Sequence, residues 1–174
     1  YIATGAGALI KQDLGTWTLS GTNTYTGGTS ISAGTLKVNN STALGTGAVA
    51  VTFGAALDLN GTTMTTANAL TLNGTGVSSS GALTNSSSTA ATFAGSLTLG
   101  SNASVISSTG SIILSNTAST ITLGSATGYV LTLGGAGGGS IAGVIGQGTG
   151  NLVNINTLIK QDAGIWTLSG ANTY

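Results

Sequence analysis

A short strand-like pattern returns eight times along the chain and constrains its fold more than any other feature. Each copy is an apolar residue, one variable residue and Leu or Val, followed by a small or turn-forming pair. Alternation with period two places both apolar members on one side of a strand and the middle residue on the other. A Gly or Asn after the strand can adopt positive φ and turn the chain sharply. The pattern therefore predicts a ladder of short strands joined by tight turns.

The apolar positions of these copies form the predicted core. The core candidates are Trp17, Leu19, Leu36, Val38, Leu57, Leu59, Leu70, Leu72, Leu97, Leu99, Ile121, Leu123, Leu131, Leu133, Trp166 and Leu168. Successive copies lie 10 to 35 residues apart, and most spacings are near one coil of a parallel β-solenoid. The shortest and longest spacings indicate altered or inserted coils. We predict an all-β fold, a parallel β-helix of about seven to eight coils stacked about 4.8 Å apart.

Composition decides among the all-β folds that such strands could build. Charged residues make up only 3% of the chain, Pro is absent and Gly occurs 30 times. An antiparallel β-sandwich usually carries more charge and some Pro, and a steric-zipper amyloid contains few Gly. Absence of Pro suits a solenoid, because each interior strand donates its N–H groups to a neighbouring coil. These comparisons favour the solenoid over both alternatives.

A second regularity is a segment that occurs twice. Residues 9–25 and 158–174 share fourteen of seventeen positions at a constant offset of 149 residues. A return of this kind predicts an array of one structural element rather than a single catalytic domain. We therefore interpret the chain as part of a longer repetitive protein.

The first copy of this segment runs from Leu9-Ile10-Lys11 through Gly15 and the Trp17 strand to the string Asn23-Thr24-Tyr25-Thr26-Gly27-Gly28-Thr29. This pattern resembles the autotransporter-associated β-strand repeat, with Trp where that family usually has Leu. The resemblance covers about a third of the chain. We divide residues 1–174, taken as a single β-solenoid segment, into repeat copies at 9–38 and 141–174 and degenerate coils over 43–140.

The resemblance implies a location and a set of partners. Its family builds right-handed parallel β-helices in the passenger regions of large bacterial surface proteins, which act as stalks or adhesins. We therefore expect a cell-surface or extracellular, outer-membrane-associated protein. The expected partners are adjacent repeats of the same chain or identical chains, with a host surface, an abiotic surface or a glycan as further candidates.

Side chains that carry chemistry are scarce. The only acids are Asp13, Asp58 and Asp162, and His, Cys, Glu and Arg are absent. The spacing of Lys11 and Asp13, repeated at Lys160 and Asp162, predicts a surface ion pair contributing about 0–1 kcal/mol rather than a catalytic pair. No metal-ligand or phosphate-loop spacing occurs, and nothing forms a basic patch for nucleic acid. We expect no catalytic residue, cofactor, metal, nucleic-acid partner or membrane-spanning segment.

Aromatic and Thr residues offer two further binding hypotheses. Trp17 and Trp166 occupy inward strand positions, so core packing is favoured over a carbohydrate platform. Tyr25 and Tyr174 either cap a turn through the hydroxyl or lie exposed. A column of outward Thr side chains could suggest ice binding, but Thr-x-Thr occurs at only two of the ladder strands, which disfavours a regular lattice.

These observations favour a non-enzymatic structural or adhesive segment of a giant bacterial surface or extracellular protein, providing a stiff rod or stalk. The alternative is a self-assembling subunit of an extracellular filament. A glycan-active β-helix enzyme and an ice-binding protein are less favoured, because titratable groups are few and the Thr array is irregular.

Overall fold

The strands form three parallel stacks, which we call face 1, face 2 and face 3. The computed structural model describes residues 5–118, 121–122, 128–146 and 157–173, with 121–122 as backbone only. Face 1 consists of β1 (Leu9–Lys11), β3 (Thr29–Ile31), β5 (Val49–Val51), β7 (Leu70–Gly74), the first part of β10 (Leu97–Ser107), β12 (Ile121–Thr122) and β15 (Ile145–Gly146). Each strand is only two to five residues long apart from β10, so the chain turns soon after entering the face.

Face 2 is the neighbouring stack. It consists of β2 (Thr16–Leu19), β4 (Gly34–Val38), β6 (Ala55–Asp58), β8 (Leu83–Asn85), the second part of β10, β13 (Val130–Gly134) and β16 (Thr157–Lys160). Strand β10 continues around the corner from face 1, so the two faces form one 13-stranded sheet.

Face 3 completes each turn of the helix, and among the described residues it has strands only from the fourth layer onward. It consists of β9 (Ala91–Phe93), β11 (Ile112–Leu114), β14 (Gly139–Ile141) and β17 (Trp166–Leu168). In the earlier layers this side carries the isolated parallel bridges Gly5–Tyr25 and Thr63–Thr92. A short 3₁₀ turn at Val77–Ser79 lies in the loop between β7 and β8.

One turn of the chain visits the three faces in order, and the next turn stacks on it in parallel register. Within the described residues, faces 1 and 2 each run through seven such layers. The predicted all-β parallel β-helix is therefore confirmed. Six spacings of about 4.8 Å give an axial length of about 29 Å.

The irregular spacing of the strand pattern has a different cause from the one predicted. The copies at 57–59 and 70–72 lie on faces 2 and 1 of successive layers, and that at 166–168 lies on face 3. True coil lengths are more even, since in-register residues on face 1 from Leu9 to Leu97 are 20 to 27 residues apart. The prediction of altered or inserted coils was wrong for these copies, because the pattern changes face.

Burial follows the period-two alternation in most strands, although β6 and β8 are buried on both sides. The fully buried core candidates are Leu36, Val38, Leu57, Leu59, Leu70, Leu72, Leu97, Leu99, Leu131 and Leu133. Three others, Leu19, Trp166 and Leu168, are half-buried and pack against this core. The side chain of Ile121 and the whole of Leu123 lie outside the described residues.

Trp17 is the exception among the core candidates. It points inward, in register with the buried Leu36, yet 48% of its surface is exposed. Strand β2 pairs only with β4 among the described strands, so a described layer covers the indole on one side only. Within the described residues the placement of Trp17 in the core is therefore wrong, because its inward orientation does not bury it where no described layer covers that side of β2.

The two copies of the doubled segment occupy different corners of the helix. In the first copy Leu9–Lys11 lies on face 1 and Trp17 on face 2. In the second, Thr157–Lys160 lies on face 2 and Trp166–Leu168 on face 3. The offset of 149 residues thus corresponds to six turns plus one face. The segment encodes a corner between two strands, and equivalent residues need not share a column.

Candidate functional site

The corner of the doubled segment is built around a buried lysine. Lys11 points inward in register with Ile31 and is completely buried. Its ammonium donates to the carbonyl oxygens of Gln12 at 2.9 Å, Asp13 at 2.6 Å and Ala33 at 3.0 Å. An ammonium has three N–H donors, so these carbonyls satisfy it completely. The third carbonyl belongs to the next layer, so this lysine joins two layers.

The acidic residue of this corner acts through its backbone. Asp13 and Asp162 both adopt left-handed conformations, with φ of 63° and 60°, which turn their carbonyls toward the lysine of the same copy. The Asp162 carboxylate instead accepts the N–H of Gly135 in the preceding layer at 2.8 Å. The predicted surface ion pairs Lys11–Asp13 and Lys160–Asp162 were therefore wrong, because the ammonium binds the Asp carbonyl.

Removing the buried ammonium should destabilise the helix. We expect Lys11→Met to lower the free energy of unfolding by about 1–3 kcal/mol, because three carbonyls lose their donor. Lys160→Met is the matched control, since Lys160 has the same local contacts but is exposed, and should change stability by less than about 0.5 kcal/mol. Urea unfolding measures both. Equal losses, or a more stable Lys11→Met variant, would contradict the caged-lysine interpretation.

Asp58 is the centre of a polar cluster on the outer side of face 2. The carboxylate is nearly buried and lies 3.4 Å from the ammonium of Lys37, which is in register with it. It also accepts the backbone N–H groups of Asn60 and Ser86 at 2.9 and 3.0 Å, and the Ser86 hydroxyl at 2.6 Å. These partners occupy both oxygens, so the group fixes a corner and offers no free base.

Tyr25, one of the two residues whose position the sequence left open, lies in the core. It is 1% exposed, and its hydroxyl is 2.6 Å from the Thr29 hydroxyl. Burial raises its pKa above the ordinary value of 10.0 and outweighs the opposite effect of the Thr29 hydrogen bond. A Cβ at Gly45 would lie 3.0 Å from the Tyr25 ring, so Gly45 leaves space for the aromatic side chain. Tyr174 lies outside the described residues.

The raised pKa of Tyr25 makes stability fall at alkaline pH. The unfolded chain releases the phenol proton near pH 10 while the folded chain retains it, so this contribution is intact below about pH 10 and is lost above it. We expect Tyr25→Phe to be less stable at neutral pH by about 0.5–1.5 kcal/mol, and to lose less stability on going to alkaline pH. Urea unfolding across this pH range tests it, and parallel curves for the two proteins would contradict it.

Buried amides connect the layers at the corners, and sequence reasoning did not identify them. Asn85 is fully buried and donates to the carbonyls of Gly110 and Ser111, while its oxygen accepts the N–H of Gly61. Asn68 donates to the carbonyls of Gly45 and Gly47. The sequence signal was present as Asn near strand ends, but Asn at a turn is usually explained by its tolerance of positive φ.

The outward Thr residues form only a short column. Thr71, Thr98 and Thr122 are in register on face 1, but the same column continues through Ala50 to Ser30 and Ile10. On face 3 the outward residues of the register are Thr92, Ile113, Ser140 and Thr167. Neither column is a continuous row of Thr.

The described part of the chain holds no group of three or more His, Cys, Asp or Glu residues that could bind a metal ion. In the same residues, no helix has the length and apolar character needed to cross a membrane. The residues that stand out are instead those of the doubled corner, where a lysine bonded to two local carbonyls, a left-handed Asp and a Trp strand recur together.

Both copies of this corner lie within the parts of the chain that match a known family. Residues 9–38 and 158–174 match the family described as Passenger-associated-transport-repeat. The predicted resemblance to an autotransporter passenger repeat is confirmed. The two matches cover just over a quarter of the chain, and they indicate an autotransporter passenger segment. No match was found among curated proteins or among solved structures.

Proposed function

We propose that this chain is a non-enzymatic rod segment of a bacterial cell-surface or extracellular protein, where it supplies length and stiffness to a stalk. The observation that carries the proposal is the parallel ladder of seven layers on faces 1 and 2 among the described residues. Each layer buries little apolar surface alone, so stability accumulates as layers stack. The passenger-repeat match supports the outer-membrane-associated location.

The partners that follow from this proposal are further repeats of the same protein or identical chains. Small-angle X-ray scattering of one, two and three tandem copies of the 174-residue chain should show a particle that lengthens with copy number at constant cross-section, and sedimentation velocity of the single copy should show one monomeric species over a wide concentration range. Assembly that grows with concentration would instead favour the self-assembling filament. A cross-section that widens as tandem copies are added would contradict both.

The proposal assigns no reaction to the chain. Asp58, the most enclosed of the acids, is already engaged by Lys37, Asn60 and Ser86. A glycan-cleavage assay on the chain and on Asp58→Asn tests this assignment. Cleavage that disappears in the variant, while its melting temperature is unchanged, would show that the protein is an enzyme.

A further inference from the structure

The two phenylalanines of this chain have opposite environments. Phe93 lies in the core with no exposed surface, whereas Phe53 is 80% exposed at the corner between β5 and β6. Burying a Phe side chain is worth about 1.5–3 kcal/mol, which this position does not gain. A single exposed apolar residue is common on protein surfaces and needs no explanation by itself. The residues around Phe53 nevertheless indicate a reason for its exposed position.

One edge of the Phe53 ring contacts the next layer. A Cβ placed on Gly74 would lie 2.9 Å from the Cδ2 atom of the ring, so the ring rests on glycine backbone. Gly74 has a φ of +79°, a conformation that side-chain-bearing residues rarely adopt, and its N–H donates to the Ser101 hydroxyl at 3.1 Å. The aromatic ring is thus seated on a fixed corner and points away from the core.

This ring borders a groove along the corner between faces 1 and 2. The groove is a hollow of about 490 Å³ lined by Phe53, Ser101, Asn102, Gly128 and Tyr129. These residues come from the third, fifth and sixth layers, so the groove extends along the rod over about 14 Å, three layer spacings of about 4.8 Å. Tyr129 is half-buried and packs against the core, which supports the far end of the groove.

The polar groups of the groove are oriented by the scaffold. The side-chain Oδ1 of Asn102 accepts the N–H of Val130 at 2.9 Å, and among the described residues no acceptor contacts the NH₂ group of the same amide. The Ser101 hydroxyl donates to the backbone carbonyl oxygen of Asn102 at 3.2 Å and accepts the N–H of Gly74, which fixes its position. The groove therefore has an aromatic side chain at each end, with an amide donor and a hydroxyl between them that hydrogen bonds hold in position.

We propose that this groove binds a neutral oligosaccharide. A pyranose ring has an apolar C–H face that packs on an aromatic side chain and hydroxyl edges that bond to amides and hydroxyls, which are the two kinds of group present. None of the described lining residues is charged, so nothing there would select an acidic sugar or a phosphate. Corners of a rigid scaffold are places where binding residues concentrate.

The experiment measures binding of cellohexaose, laminarihexaose, mannohexaose and chitohexaose to the 174-residue chain by isothermal titration calorimetry. We expect at least one of them to bind, with Phe53→Ala weakening it at least about tenfold and Phe53→Trp retaining it. Asn102→Asp keeps the acceptor for Val130 but removes the amide donor, and should also weaken binding. Leu14→Ala is the matched control, since Leu14 is 84% exposed at a different corner.

Several results would overturn the proposal. These are binding of none of the four sugars, affinity that survives Phe53→Ala, or a preference for oligogalacturonate over every neutral sugar. An apolar peptide that binds in a Phe53-dependent manner, where no sugar does, would assign the groove to a protein partner instead. Circular dichroism and thermal melting show whether each variant is folded, and the exposed position of Phe53 predicts that its variants are. The outcome is independent of the rod proposal, which depends on particle shape and association state.

Discussion

Leu72→Asp should unfold the helix or leave its central layers disordered. Leu72 is completely buried in the face 1 column that contains Ile31, Val51 and Leu99 in register. The substitution removes a core side chain and places an unpaired carboxylate among apolar neighbours, a combination expected to cost at least about 5 kcal/mol. A typical domain has only about 5–15 kcal/mol of stability, so little folded protein should remain.

The neighbouring position gives the control. Thr71 lies on the outer side of the same strand and is only half-buried, so Thr71→Asp should cost about 1 kcal/mol or less. Leu72→Ala, expected to lose about 2–5 kcal/mol, keeps the comparison measurable if the Asp variant does not fold. Urea unfolding followed by circular dichroism reads out all three. Similar losses from Thr71→Asp and Leu72→Asp would show that the inward and outward assignment is wrong.

Gly135→Ala should be nearly as damaging, although it adds only one methyl group. A Cβ at this position would lie 1.8 Å from the carbonyl oxygen of Ser107 in the preceding layer. That oxygen is part of the backbone, and it cannot retreat without opening the pairing of β10 with β13. The residue also has a φ of +89°, which adds about 1–2 kcal/mol of strain for Ala. We expect a total loss of about 4 kcal/mol or more.

Gly54→Ala separates the two causes. Gly54 has a similar φ of +78°, but no atom lies within 4 Å of the position of an added Cβ. This variant should therefore show only the conformational cost of about 1–2 kcal/mol. Thermal and urea unfolding measure the difference between the two variants. Equal losses would mean that the close approach of layers at Gly135 does not limit the fold.

The local pattern of the sequence was sufficient to predict the architecture and most of the core. Period-two alternation identified Leu36, Leu57 and Leu72 as inward, because side-chain direction in a strand depends only on the positions of neighbouring residues. The same alternation places Lys11 on the same side of β1 as Leu9. Its charge nevertheless led to a surface assignment, since an isolated ammonium inside a protein is costly. What offsets that cost is a set of carbonyls, one of which lies 22 residues away in the sequence.

The candidate binding groove could not be predicted from the sequence. Phe53, Asn102 and Tyr129 are far apart in the chain and belong to different layers. They meet only because the coils stack with corners aligned. Sequence reasoning considered Trp and Tyr residues of the doubled segment as aromatic candidates, and of those Tyr25 is buried while Trp17 covers the caged lysine, with its ring centroid 5.3 Å from the ammonium.

The sequence alone determined that this chain forms short parallel strands around an apolar interior. The alternation of apolar residues, the absence of Pro and the recurrence of Gly or Asn act on the few residues around them, so they can be read without the tertiary structure. Only the tertiary structure decided which face each strand occupies. The number of residues in a coil depends on the turns that join its three faces. The doubled segment forms two strands and the turn between them, so it can occupy the corner between faces 1 and 2 in one copy and the corner between faces 2 and 3 in the other. This is why the doubled segment moves by one face over its 149 residues. Its two lysines differ because the following layer supplies the Ala33 carbonyl to Lys11, whereas no described strand stacks beyond β16 to cover Lys160.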